Sequence, residues 1–149
     1  MDSGEVIVTI RLIESTDFEA VLSLSGNVIS RDEITSSNSG EPVSFCFVAE
    51  AESKVVGFNL AHCLYVGIPL YKICVIQGIV VDDKYRRLGI GEKLVEAVYK
   101  QCADCGINTV RALVEESDVR LQQFIEYVGF QRSSVSNYDR PVFCKTAGF

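Results

Sequence analysis

The chain has 149 residues, with 20 acidic and 14 basic side chains, so its formal net charge at pH 7 is −6. This balance disfavours nucleic acid as a partner, because nucleic-acid-binding surfaces are rich in Lys and Arg. With 48% apolar and 23% charged residues, the composition is typical of a folded globular protein and not of a disordered chain. Since roughly 100–200 residues build one core, we expect residues 1–149 to form a single domain.

The sequence predicts a cytoplasmic protein that has no membrane partner. No apolar run approaches the roughly 18 residues that a membrane helix needs. The first five residues include Asp2 and Glu5, where a secretory signal would carry basic residues before an apolar stretch. The six cysteines are therefore expected to stay reduced. Cys102 and Cys105 have a redox or zinc spacing, but no second pair accompanies them, so no metal site is predicted.

The first half of the chain is predicted to form a strand, a helix and three further strands. Residues 6–13 are a β-branched run typical of a strand, and Ser15-Thr16-Asp17 can cap a helix that begins at Phe18. A Ser-rich loop at 35–40 leads to the later strands. These are predicted at 45–49, 55–65 and 73–81. Because short separators join them, we expect an antiparallel meander.

The second half begins with a helix predicted over residues 89–105. Gly106 fits the left-handed position that stops a helix. One side of this helix is apolar and is formed by Ile90, Leu94, Val95, Val98 and Cys102. This side is expected to pack on the sheet.

The remaining elements are a strand, a helix and a final extended region. The strand is predicted at 109–114, and Ser117 can cap the next helix. That helix is predicted to end at Gly129, and its apolar stripe consists of Leu121, Phe124, Ile125 and Val128. Residues 135–145 are expected to form one or two extended segments. The element order predicts an α/β fold with a mixed, mostly antiparallel sheet and helices on both faces.

Residues 77–91 run from a strand through a basic turn into a helix and carry the clearest chemical signal. Gly89 and Gly91 allow close approach of a ligand to the backbone, and the first-turn N–H groups of a helix have no partner within it. With the helix dipole they form an anion site, to which Arg86 and Arg87 add positive charge. A phosphorylated ligand suits this pattern. Neither a P-loop nor a dinucleotide fingerprint is present, since Leu94 stands where the latter needs a third glycine.

The hexapeptide Arg86-x-x-Gly89-x-Gly91 resembles the [Gln/Arg]-x-x-Gly-x-[Gly/Ala] signature of the GNAT superfamily of N-acyltransferases. Residues 79–82 resemble the central strand of the family, and residues 118–130 resemble its later helix, which ends in Gly-Phe. The element order is also similar over essentially the full chain. The resemblance implies a GNAT-like fold with a splayed central strand pair, and it implies acetyl-CoA as cosubstrate.

The resemblance also implies which residues bind the cofactor. The pyrophosphate would lie on the backbone N–H groups of residues 87–92, and the pantetheine arm would pair with the edge of strand 73–81. An N–H group of that strand could polarise the thioester carbonyl. Asp118 stands where many members have Asn and can also cap its helix. The implied set is Ile79, Val80, Val81, Arg86, Arg87, Leu88, Gly89, Ile90, Gly91, Glu92 and Asp118.

The sequence departs from the family at the residues that usually move protons. Gln77 stands where members often have a Glu base, and Ile125 stands where many have a Tyr acid. Glu116, after strand 109–114, is preferred to Glu115 as the base, while Tyr138 on the expected last strand is preferred to Tyr127 as the acid. Because the thiolate of CoA leaves easily, an enzyme without a dedicated acid is an alternative. His62 lies in an apolar strand, which is more typical of a structural histidine.

The favoured function is transfer of acetyl from acetyl-CoA to a primary amine by direct attack in a ternary complex. The alternative is a non-catalytic acyl-CoA-binding regulatory module, and a third hypothesis is a cysteine-linked carrier or redox protein. The acceptor is expected to be a small-molecule or peptide amine, and the negative net charge favours a cationic one. The resemblance also suggests a homodimer.

Overall fold

The computed structural model describes residues 5–26 and 44–142, and a single five-stranded sheet runs through them. The predicted loop at 35–40 lies outside the described residues. The strands are β1 (Val8–Leu12), β2 (Ser44–Ala51), β3 (Lys54–Val66), β4 (Tyr71–Val81) and β5 (Val110–Ala112). The helices are α1 (Phe18–Leu24), α2 (Ile90–Asp104) and α3 (Val119–Tyr127), with 3-10 turns at Ser15–Asp17 and Asp83–Tyr85.

The sheet is mixed, as the sequence predicts. Its strands follow chain order, and β1 to β4 pair with one another in antiparallel fashion. β5 instead pairs in parallel with β4, because the α2 crossover brings the chain back to the same end of the sheet. The predicted meander of β2, β3 and β4 is therefore confirmed.

Helices cover both faces of the sheet, which confirms that prediction as well. On one face α1 packs over a buried cluster that includes Val48, Phe58 and Leu60. On the other face α2 packs with the five apolar residues predicted from its periodicity, and all five are buried. Asn59 of β3 is fully buried and fastens this helix to the sheet, since its Nδ2 donates to the carbonyl oxygen of Leu94 at 2.8 Å.

A bulge separates β4 into two parts. Leu60 of β3 pairs with Gly78, whereas the next residue, Ala61, pairs with Ile76, so Gln77 is the extra residue. β5 pairs with β4 only between Cys74 and Ile76. Beyond the bulge, β4 continues to its end without β5 beside it. This arrangement is the splayed strand pair implied by the family resemblance.

Several predicted boundaries need correction in the last third of the chain. β5 is shorter than residues 109–114. The cap of α3 is Asp118 and not Ser117, because the Asp118 carboxylate accepts from the backbone N–H of Leu121 at 3.1 Å. Residues 131–142 form no strand, and residues 143–145 lie outside the described part. The segment 131–142 is exposed throughout, so it lacks the buried face that would hold it as a strand.

The described helices include none that is both long enough and apolar enough to cross a membrane.

Candidate active site

Beyond the bulge, the open edge of β4 presents backbone groups that no strand among the described residues uses. Asp82 N–H donates to the carbonyl oxygen of Val56 at 2.8 Å, which marks a hydrogen-bonded pair between β4 and β3. Bonded and non-bonded pairs alternate along antiparallel strands. The amides of Ile79 and Val81 therefore face away from β3, towards the open edge, whereas the amide of Val80 faces β3. Of the three β4 residues predicted to bind the cofactor, Ile79 and Val81 therefore have a backbone N–H group at the open edge, and Val80 does not.

The turn after β4 is held in place by side chains. Asp82 accepts from the N–H of Lys84 at 3.0 Å, and the buried Tyr85 donates its hydroxyl hydrogen to Glu52 of the β2–β3 turn. Arg86 pairs with Asp83 at 3.0 Å, and its Nε also lies 3.4 Å from the carbonyl oxygen of Val81. The basic turn is thus fixed at the end of the open edge.

Two residues of this turn have left-handed backbones. Arg87 has φ 69° and Gly89 has φ 75°. A left-handed conformation costs an ordinary residue roughly 1–3 kcal/mol, so its presence at Arg87 is typical of a functional turn. Leu88 between them is 43% exposed. A Cβ on Gly89 would meet no atom within 4 Å, so glycine is explained here by the backbone conformation alone.

The first turn of α2 begins directly after this bend. In the described part of the chain no side chain caps the helix at Gly89, and the first intrahelical hydrogen bond runs from Lys93 N–H to Gly89 O at 3.0 Å. The N–H groups of Ile90, Gly91 and Glu92 precede it and have no partner within the helix. They form an anion site at the positive end of the helix dipole.

Gly91 has a different explanation from the one that the sequence suggests. A Cβ at this position would lie 3.0 Å from Cζ of Phe124 on α3. Glycine therefore allows α2 and α3 to pack closely. The Asp118 carboxylate, the remaining predicted cofactor group, is engaged in capping α3.

These features fit coenzyme A. The open amides of Ile79 and Val81 can pair with an amide-containing arm, and the α2 N-terminus, which follows the basic turn, can hold a diphosphate. Both lie at the same end of β4, because the turn connects them directly.

A groove of about 720 Å³ lies across β3, β4 and β5, on the face of the sheet that carries the side chains of Ile73 and Val75. This volume is within the range of small-ligand sites. The groove is lined by His62, Leu64, Val66, Gly67, Ile68, Tyr71, Ile73, Val75, Gln77, Arg111, Leu113, Val135, Ser136, Asn137 and Tyr138. It reaches the bulge at Gln77 and therefore ends beside the open edge of β4.

Two polar residues of the groove were not predicted as site residues from the sequence. Arg111 was assigned to no site, and His62 was interpreted as a structural histidine. Arg111 donates from Nη2 to the hydroxyl oxygen of Tyr71 at 2.9 Å. His62 Nδ1 lies 2.5 Å from Oγ of Ser44, which is buried at the start of β2. The alternation of side chains along β3 predicts which residues of that strand share a face with His62. Only the order of the strands in the sheet shows that Arg111 lies on the same face.

The two predicted catalytic residues occupy different environments. Tyr138 lines the groove, although it is 93% exposed and lies on the unpaired segment instead of a last strand. Glu116 is exposed in the loop between β5 and α3, and it is not among the described residues that line the groove. Its carbonyl oxygen accepts from Nε2 of Gln122 at 2.6 Å. Ile125, on α3, is half-buried.

The five described cysteines are free thiols, and Cys144 lies outside the described residues. Burial raises the pKa of the Cys46 thiol to about 12 and also raises the pKa values of Cys74 and Cys102. Cys105, at the end of α2, is exposed. Raised pKa values keep the buried thiols protonated, which does not suit a carrier or redox role at Cys102.

Comparisons with known proteins agree with this geometry. Residues 9–130 match the model of the acetyltransferase (GNAT) family. No curated protein sequence matches the chain.

Among solved structures, the aminoglycoside N-acetyltransferase AAC(6')-Iy in complex with CoA has a TM-score of 0.81 and 16% identity, over 95% of this chain and 99% of that chain. The same enzyme with the bisubstrate analogue CoA-S-monomethyl-acetylneamine has a TM-score of 0.77 and 17% identity, over 92% and 99%. Glucosamine-6-phosphate N-acetyltransferase from Arabidopsis thaliana has a TM-score of 0.73 and 20% identity, over 90% and 98%. The family match and the shared fold confirm an acetyltransferase that uses acetyl-CoA, and this chain belongs to the GNAT family.

Proposed function

We propose that this protein transfers acetyl from acetyl-CoA to a primary amine by direct attack within a ternary complex. One observation carries the proposal. The groove ends at Gln77, and two residues further along β4 the amide of Ile79 faces the open edge. An amine in the groove and a thioester on that edge would therefore meet at the bulge, without a covalent intermediate on the protein.

In this proposal the cofactor residues divide into two groups. Ile79 and Val81 hold the pantetheine arm through their outward amides, and one of these amides polarises the thioester carbonyl. Backbone N–H groups of residues 87–92, with the side chains of Arg86 and Arg87, hold the diphosphate. Acetyl-CoA supplies the activated acyl group. Val80 and Asp118 support these groups, through the β3 ladder and through the cap of α3.

The attacking amine must be neutral, although an ordinary alkyl amine is mostly charged at pH 7. Glu116 stays a predicted base, and we propose His62 as a second candidate because it lines the groove and its Nδ1 is oriented by Ser44. Imidazole is suited to proton transfer near neutral pH. Gln77 can orient the amine or a water, and Tyr138 is the proposed acid.

The acceptor is proposed to be a small-molecule or peptide amine. The named substrates of the structural neighbours, aminoglycosides and glucosamine 6-phosphate, are amino sugars, so these are the first acceptors to try. A homodimer and a cytoplasmic location stay predictions.

A pair of variants at one strand position tests the proposal. Ile79→Pro removes the outward N–H but no ladder hydrogen bond to β3, because the Ile79 amide faces the open edge. Ile79→Ala shortens the side chain to a similar degree and keeps the N–H. Loss of one donor to a developing oxyanion typically costs about 10²–10³-fold in kcat. We expect this loss in acetyl transfer by Ile79→Pro relative to Ile79→Ala.

Circular dichroism and urea denaturation would show that both variants fold. Equal rates in the two variants would contradict the role of the amide. If the wild-type protein binds CoA in calorimetry but acetylates no amine in a broad panel, the non-catalytic module would replace this proposal.

A further inference from the structure

The charge of the groove differs from that of the whole chain. Although the net charge is −6, the described residues that line the groove include no carboxylate. Arg111 is their one permanently charged side chain. An acceptor in the groove therefore meets a local positive charge, which acts over a shorter distance and with less screening than the distributed negative charge.

Arg111 is held in position as a binding group would be. It is the parallel partner of Val75, which places it on the groove side of the sheet. Its Nη2 donates to Tyr71 at 2.9 Å, and its guanidinium lies 5.6 Å from the centre of the Tyr71 ring. These two contacts hold the guanidinium beside the Tyr71 ring.

Towards the residues that the structure describes, the guanidinium leaves most of its donors unused. Arginine has five N–H donors in a fixed fork. Within the described ranges 5–26 and 44–142, Arg111 forms no ion pair with a carboxylate, although it is only partly exposed. A half-buried cation without a counter-ion favours an anionic ligand, and the fork geometry matches a carboxylate or phosphate.

We propose that the acceptor carries an anionic group in addition to its amine, a carboxylate or a phosphate, and that Arg111 binds this group. The inference rests on the proposed acetyl transfer, because it places the amine at the bulge. Val75, the partner of Arg111, lies two residues before Gln77, or about 7 Å along β4. The amine and the anionic group would thus fit within one small molecule, whereas polycationic acceptors, including the aminoglycosides among the first acceptors to try, would be repelled.

The test uses pairs of amines that differ in the anionic group. One pair is γ-aminobutyrate and γ-aminobutyramide, in which three methylene groups separate the amine from the carboxyl group, and the other is O-phosphoethanolamine and ethanolamine. Binding is measured by calorimetry and by the Arg111 Nε–H resonance, with saturating CoA so that the diphosphate site is filled. The proteins are wild type, Arg111→Gln, Arg111→Lys and the control Arg132→Gln, which changes an exposed arginine outside the lining of the groove.

We expect the anionic member of at least one pair to bind about 10- to 150-fold more tightly to the wild-type protein, the range for hydrogen bonds to a charged group. Arg111→Gln should abolish the preference, Arg111→Lys should retain part of it, and Arg132→Gln should leave it unchanged. The Arg111 resonance should shift only with the anionic members. A preference for the carboxylate or for the phosphate pair identifies the group.

Equal binding within both pairs, or a preference that persists in Arg111→Gln, would overturn the inference. The kcat/KM values of the same amines separate it from the proposed function. Acetylation of both members at equal rates, unchanged in Arg111→Gln, would leave the transferase proposal standing without the anionic acceptor. Selective binding at Arg111 without acetylation would leave the anion site standing and contradict the transferase proposal.

Discussion

Gly91 offers the sharpest test of how α2 is held at the cofactor site. In Gly91→Ala the new Cβ would lie 3.0 Å from Cζ and 3.2 Å from Cε1 of Phe124, whereas carbon atoms pack best at about 3.5–4.0 Å. Overpacking of this kind costs about 1–3 kcal/mol. Alanine also gains about 1 kcal/mol of helix propensity over glycine. The expected net effect is a loss of about 0–2 kcal/mol in the free energy of unfolding.

The same change should have the opposite sign when Phe124 is replaced by leucine. Leucine has no atoms at the Cζ and Cε1 positions, so the contact disappears and the propensity gain remains. In the Phe124→Leu background, Gly91→Ala should therefore stabilise the protein by up to about 1 kcal/mol. The coupling energy of the double-mutant cycle should reach about 1–3 kcal/mol, measured by urea denaturation of the four proteins.

CoA affinity should follow the packing. If the contact between the new Cβ and Phe124 shifts the first turn of α2, at least one charge-assisted hydrogen bond worth about 1.5–3 kcal/mol is at risk, or about 10- to 150-fold in Kd. Calorimetry should show this loss in Gly91→Ala and its recovery in the double variant. If stability recovers but affinity does not, Gly91 serves ligand approach directly, as the sequence suggests, and packing against Phe124 does not explain the loss of CoA affinity.

Three further predictions concern the proposed acid Tyr138, the ion pair between Arg11 and Asp17, and the cysteine thiols. Tyr138→Phe should lower acetyl transfer by about 10²–10⁴-fold with CoA affinity nearly unchanged, and a loss below about threefold would show that Tyr138 is not the acid. The hydrogen bond from Arg11 lowers the pKa of Asp17. The stability that this carboxylate contributes is therefore present above about pH 4 and is lost as the pH falls through its pKa in the folded protein. Asp17→Asn should be less stable than the wild type at pH 7, and urea denaturation should show that this difference shrinks in acid. Alkylation with iodoacetamide followed by mass spectrometry should label the exposed Cys105 before Cys46, since burial raises the pKa of Cys46 to about 12; equal rates would contradict its burial.

The local structure of the proposed cofactor site was largely predictable because its residues are contiguous. Residues 79–92 form one strand end, one turn and one helix start, so their spacing in sequence fixes their spacing in space. The left-handed backbone at Gly89 and the buried face of α2 follow from local rules of helix geometry. The role of Gly91 did not follow, because its neighbour Phe124 comes from a different helix.

The acceptor side could not be predicted in the same way. The groove combines side chains of three strands with an unpaired segment, so its composition depends on sheet order and register. Net charge suggested a cationic acceptor, yet the local charge at Arg111 has the opposite sign. Residues 135–142 contain strand-forming residues, but a strand also needs a partner and a buried face, which this exposed segment lacks.

The bulge at Gln77 determines which amides the open edge of β4 presents, because it shifts the alternation of residues along β4 by one. Before the bulge, Cys74 and Ile76 face α2, and the amide of Cys74 donates towards β5, to Thr109 O at 3.0 Å. In a regular strand, residues 78 and 80 would follow Cys74 and Ile76, with side chains that face α2 and amides that point away from β3. Because Gln77 is an extra residue, Ile79 and Val81 take these positions, so their side chains pack with α2 and their amides face the open edge. Hydrophobic periodicity could not reveal the shift, since residues on both sides are apolar. The one local signal is the Gln77-Gly78 pair, because a glycine inside a strand often marks a bulge.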